Sequence, residues 1–231
     1  MTPLETLLPH SLESFLDDAS IERVLAGVRQ LQAAAPPSAF EAGAGGRSVH
    51  TFSGALAGVN PAAVFEPAGR IEINVLPDDV RALLDDAFFR RIEDVRRVYP
   101  SATWPRGWTY VEYRAGQLCT PHADSASGGR NVAACNVLLD DGFAGGEFFI
   151  ETCGSPELWM PGDAVLGPWS TYNNEWFRAM PKTRWTTRPA RGTAVFYGSQ
   201  LIHGTQPVTD GVARKVICWL EADEPLAAHG R

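Results

Sequence analysis

The stretch NVAACNVLLDDGFAGGEFFIE, residues 131–151, decides the fold. Two runs rich in Val, Ala, Leu, Ile and Phe flank a centre that holds Asp140, Asp141, Gly142, Gly145 and Gly146. Short apolar runs bounded by Gly and Asp read as strands joined by turns. The same rhythm continues on both sides, in WTYVEY (108–113), GTAVFY (192–197) and KVICWLE (215–221). Beyond Pro100 the chain is therefore a succession of strands.

Before Pro100 the period changes. Ile21, Val24, Leu25, Val28 and Leu31 recur at steps of three and four and predict an amphipathic helix, ended by Pro36 and Pro37. RIEINV (70–75) alternates as a strand. Pro77, Asp78 and Asp79 then suit a helix start, and Val80, Leu83, Leu84, Ala87, Phe88, Ile92 and Val95 supply its apolar face. Helices followed by antiparallel strands predict an α+β chain, mainly β: a sandwich or jelly roll backed by N-terminal helices. One domain, 1–231, is expected, with a helical support region at 1–100 and a catalytic core at 101–221.

Composition narrows the function. The 231 residues are 45% hydrophobic and 20% charged, enough for a sizeable core and unlike a disordered chain. A net charge of -7 gives no global attraction to nucleic acid or an anionic membrane. No window has the ~20 apolar residues of a membrane span, and the N-terminus lacks the basic-then-apolar order of a secretory signal. A cytoplasmic protein is expected, with no nucleic-acid or membrane partner. Cys119, Cys135, Cys153 and Cys218 form no CxxC pair, so they read as free, mostly buried thiols.

Of five histidines, His10 and His229 lie near the ends and His50 follows a glycine-rich loop. His122 and His203 remain. His122 stands two residues before Asp124, and on an extended strand those side chains share a face. An imidazole and a carboxylate so placed can grip one ion, and His203, 81 residues on, can add a third ligand from a neighbouring strand. Two His and one carboxylate leave coordination positions open, which suits non-haem iron(II).

Three ordered blocks carry a family resemblance. They are YRAGQLCTPHAD (113–124), NVLLDDGFAGGEFFI (136–150) and RGTAVFYGSQLIHGTQPVTDGVARKVICW (191–219). Together they resemble the Fe(II)/2-oxoglutarate-dependent dioxygenases, on the branch of prolyl 4-hydroxylases and similar small hydroxylases, over roughly residues 105–221. The resemblance implies a double-stranded β-helix, with His122, Asp124 and His203 as iron ligands and 2-oxoglutarate and O2 as cosubstrates. It also implies a basic residue after the distal His that holds the far carboxylate of 2-oxoglutarate. Arg214 is the first choice and Lys215 the alternative, on the opposite face of a regular strand. Tyr113 and Asn136 are the further candidate cosubstrate contacts. Asp124 keeps the carboxylate that related halogenases lack, so oxygenation is expected rather than halogenation.

The stretch 152–189 breaks the strand rhythm and is rich in aromatics, and it reads as a structured insertion near the mouth of the site. Trp169, Tyr172, Asn174, Trp176 and Arg178 are its candidate substrate contacts. Arg178, Lys182, Arg184 and Arg188 make it basic and suit a carboxylate-bearing substrate. The expected activity is hydroxylation of a small organic molecule such as an amino acid, small peptide or natural-product intermediate. The alternatives are a hydroxylase of protein or peptide side chains, a metal-binding jelly roll without activity, and a zinc hydrolase.

Overall fold

The computed structural model describes residues 1, 2, 4–42, 69–124, 130–152 and 183–224. Two sheets face one another. The larger runs in the order β1 (Pro9–Leu12), β10 (Ala194–Gly198), β6 (Asn131–Leu138), β13 (Val212–Glu221), β4 (Trp104–Arg114), β3 (Arg70–Ile73) and β2 (Glu41–Ala42). The smaller is β5 (Cys119–His122), β11 (Ile202–Thr205), β8 (Phe148–Thr152) and β9 (Thr183–Thr187). A short ribbon pairs β12 (Val208–Asp210) with β7 (Ala144–Gly145). Every pairing is antiparallel, as in a jelly roll.

Helices α1 (Asp18–Ala34) and α2 (Asp78–Arg90) cover the outer face of the larger sheet. Asp17 caps α1 by accepting from the Ser20 amide at 2.7 Å. Ile21, Val24 and Val28 of α1, and Val80, Leu84 and Phe88 of α2, meet Cys135, Val137, Phe196, Val216 and Leu220 of the strands in one core. Each such side chain, fully buried, contributes roughly 1.5–3 kcal/mol. The Trp108 indole N–H donates to Asp85 at 2.8 Å and ties β4 to α2. The second helical run breaks at Arg91 and resumes as α3 (Ile92–Arg96), rather than continuing unbroken.

The larger sheet is buried on both sides, so alternation decides what faces the second sheet. On β13, Val216, Cys218 and Leu220 face the helices, and Ala213, Ile217 and Trp219 face inward. On β6, Ala134 and Leu138 face inward.

Two regions differ from the sequence-based expectation. The first hundred residues supply the expected strand β3 and, besides it, two further strands to the larger sheet, β1 at one edge and β2 at the other. Residues 183–187, expected within the insertion, form β9 and pair with β8. TRWTT is mostly exposed on both faces, which erases the apolar alternation that marks a strand. No helix among the described residues is long and apolar enough to cross a membrane.

Candidate metal centre

His122 ends β5, His203 lies on β11, and the two are direct cross-strand partners. Their ring centroids are 4.3 Å apart. Asp124 sits just beyond β5, with one carboxylate oxygen 3.7 Å from His122 Nε2 and the other 3.7 Å from His203 Nε2. The three ligand atoms lie within 4.8 Å of one another. The structure therefore brings together all three residues of the expected triad.

Neighbouring groups orient the imidazoles. His203 Nδ1 is 2.9 Å from the Leu201 carbonyl oxygen. A carbonyl only accepts, so Nδ1 carries the proton and the Nε2 lone pair turns toward Asp124. His122 Nδ1 is 3.7 Å from Cys119 Sγ, and both side chains are buried. Gly204 permits this closeness: a Cβ there would stand 2.5 Å from the Cys119 carbonyl oxygen and 2.5 Å from the Phe149 ring. The donor set of two imidazoles and a carboxylate, all aimed at one point, fits a divalent iron ion.

Inside the sheets, the Tyr197 ring lies 4.2 Å and the Phe148 ring 5.9 Å from the His203 ring. Burial, and then the Asp124 carboxylate, hold the Tyr197 phenol well above its ordinary range, so it stays neutral.

Lys215 points into the same interior. It is buried, with Nζ 3.2 Å from Thr205 Oγ1, 3.5 Å from the Gly146 carbonyl oxygen and 5.5 Å from the Tyr113 ring centroid. Thr205 follows His203 by two residues on β11. Burial pulls the Lys215 ammonium down to about 8. Asn136 lines a small cavity with Lys215, Phe148 and Arg188. Tyr113 is buried on the same inner face as Ala213, its partner across β4 and β13.

Arg214, expected as the first choice for the far carboxylate of 2-oxoglutarate, faces the other way. Its guanidinium is bonded to the Asp140 carboxylate and lies 3.8 Å from Glu112. A strand has period two, so Arg214 and Lys215 cannot both face inward. The acidic pair on the outer side fixes which of them does not.

The remaining candidates divide. Trp169, Tyr172, Asn174, Trp176 and Arg178 lie outside the described residues, as does Lys182. Arg184 pairs with Glu151 and lies over the Phe149 ring, and Arg188 donates to the Phe143 carbonyl at 2.9 Å, so neither is idle at the mouth. Cys119, Phe148, Tyr197 and Thr205 were not singled out in the sequence. For Thr205 a signal existed, because it stands at i+2 from His203 and so shares its face.

No protein-family model matches the chain, and no curated protein matches it. Solved structures do. The fold is that of the 2-oxoglutarate- and iron(II)-dependent oxygenases, as the resemblance implied. A 2OG-Fe(II) oxygenase-family oxidoreductase from Burkholderia pseudomallei superposes with a TM-score of 0.56 at 15% identity, over 96% of this chain and 88% of that one. A Pseudomonas putida prolyl-4-hydroxylase gives 0.56 at 11% identity, over 96% of each chain. A Trichoplax adhaerens prolyl hydroxylase, solved with a hypoxia-inducible-factor peptide, gives 0.58 at 12% identity, over 99% of this chain and 90% of that one.

Proposed function

We propose that the chain is a non-haem iron(II) oxygenase that uses 2-oxoglutarate and O2 to hydroxylate a small organic substrate. The observation that carries this reading is the triad of His122, Asp124 and His203 in the same interior as the buried ammonium of Lys215. A buried lysine beside a hydroxyl is costly unless an anion joins it, and a dicarboxylate cosubstrate supplies one.

In this reading His122, Asp124 and His203 would hold the iron and leave coordination positions for the cosubstrates. Lys215 and the Thr205 hydroxyl bind the far carboxylate of 2-oxoglutarate, with Asn136 and Tyr113 on the flanking walls. Lys215 thus takes the role first expected of Arg214. The iron with its cosubstrates supplies the oxidising power: one atom of O2 ends in succinate as CO2 leaves, and the other enters a C–H bond of the substrate. The protein's share is orientation and exclusion of water. Tyr197 and Phe148 wall the triad with rings, and the neutral Tyr197 phenol adds no charge beside Asp124.

The test is anaerobic. Fe(II) and then 2-oxoglutarate are added to the purified protein while the visible spectrum is recorded, with His122→Ala in parallel. A weak charge-transfer band that needs both additions and the intact triad supports the reading. Iron binding without a band removes 2-oxoglutarate from it and favours a metal-binding or hydrolytic role.

A further inference from the structure

A gap separates the edge strands β1 and β9 of the two sheets. A cleft of about 450 Å³ occupies it, lined among others by Pro9, Ser11, Trp185, Thr187, Pro189 and Val195. That volume lies within the ordinary range for small-molecule sites. Its relation to the triad follows from register. His122 pairs with His203, His203 with Ile150, and Ile150 with Trp185. Cross-strand partners point to the same face, so Trp185 stands in the row of the metal ligands. It lies two strands from His203, about 10 Å between backbones. Val195 and Thr187 also line the small cavity of Lys215 and Asn136, so the cleft adjoins the proposed cosubstrate pocket. On β10, Val195 is two residues from Tyr197, whose ring centroid lies 4.2 Å from that of His203.

Trp185 is 51% exposed, whereas Ile150 and His203, its neighbours along the row, are buried. An indole held on a strand beside a cleft is a platform for a flat ring. The described lining of the cleft offers an anion no unengaged cation: His10 lines it, and burial lowers the pKa of its imidazole. Arg191 is the only Arg or Lys among its described lining residues, and it is engaged by Asp18, Glu22 and the Leu139 carbonyl. Glu13 adds a carboxylate to the rim.

We propose that this cleft is the substrate site, with Trp185 as its stacking platform, and that it takes a ring compound without negative charge, held by hydroxyls such as those of Ser11 and Thr187. This rests on the oxygenase reading and departs from the carboxylate-bearing substrate that the basic residues of 178–188 suggested.

The test uses the full chain loaded anaerobically with Fe(II) and 2-oxoglutarate. Two matched probes, 4-hydroxybenzamide and 4-hydroxybenzoate, are compared by saturation-transfer NMR at millimolar concentration. The uncharged ring is expected to receive saturation and the anion far less. Trp185→Ala is expected to weaken the uncharged probe about fivefold, and Trp185→Phe to retain it. No transfer to either probe, preference for the anion, or an unchanged signal in Trp185→Ala overturns the proposal. The visible band recorded on each sample keeps the two readings apart. A band without probe binding sinks the cleft alone, and no band sinks the oxygenase reading.

Discussion

Lys215 Nζ stands 3.2 Å from the hydroxyl of Thr205, which shares a strand face with His203. That contact joins β13, the central strand of the larger sheet, to β11, the strand carrying His203. It makes Lys215, not its neighbour Arg214, the group to alter. Lys215→Met is expected to weaken 2-oxoglutarate binding about 10- to 100-fold, the loss of a charge-assisted pair at roughly 1.5–3 kcal/mol. Arg214→Met is expected to change it less than about threefold, because its partners are Asp140 and Glu112. Calorimetric titration of 2-oxoglutarate into the Mn(II)-loaded protein decides between them, and the reverse order would return the role to Arg214.

The buried ammonium also sets a pH dependence. With its pKa lowered to about 8 in the folded protein, Lys215 is charged below that value and increasingly neutral above it. Binding of a carboxylate requires the charged form. Affinity for 2-oxoglutarate is therefore expected to fall as pH rises through about 8, approaching tenfold per unit. Stability moves the other way. Between about 8 and about 10.5 the unfolded chain holds the proton that the folded chain has released, so the free energy of unfolding rises with pH. The burial penalty is fully present below about 8 and is relieved across that window. Urea unfolding of the ligand-free protein against Lys215→Met, which lacks the group, checks the sign.

Cys119 sets the ring of His122 through the contact at Nδ1. Cys119→Val keeps the volume and removes the polar partner, and a loss of about tenfold in metal affinity is expected. Cys119→Ser is expected to recover part of it. Co(II) titration followed by its visible absorption reports both affinity and ligand geometry. An unchanged Cys119→Val titration would leave the thiol as packing alone.

Gly204→Ala would push a methyl carbon against the Cys119 carbonyl and the Phe149 ring. Overpacking of this kind costs about 1–3 kcal/mol. The strain falls between the two histidine-bearing strands, so metal affinity is expected to fall together with the thermal midpoint. A lowered midpoint with unchanged Co(II) binding would show that β5 and β11 yield without moving the ligands.

The triad was legible in the sequence because its chemistry fits a short-range rule: His122 and Asp124 share a face by the period of a strand, and His203 was the one other histidine well inside the strand region. Lys215 was harder. Whether it or Arg214 faces inward depends on parity counted from His203 through the turn at Asp210 and Gly211, and one residue more or less in a turn inverts that parity. The answer came from Asp140 and Glu112, distant in sequence, which claim the outward position. Tyr197 lay in a run correctly read as a strand, but an apolar run buried on both faces carries no sign of which side meets the triad. β9 was concealed by its polar composition, and Trp185 with it. The helices were visible through their apolar period, except for the break at Arg91.

β1 pairs with β10, setting Pro9 directly opposite Tyr197. β1 is thus made about 190 residues before the strand it pairs with. During synthesis β1 must wait, without its partner, until β10 has emerged. Long-range closures of this kind are slow steps. Tyr197 is also the ring whose centroid lies 4.2 Å from that of His203, so this long-range seam closes beside the triad, and the wall around His203 is complete only when two segments about 190 residues apart have met.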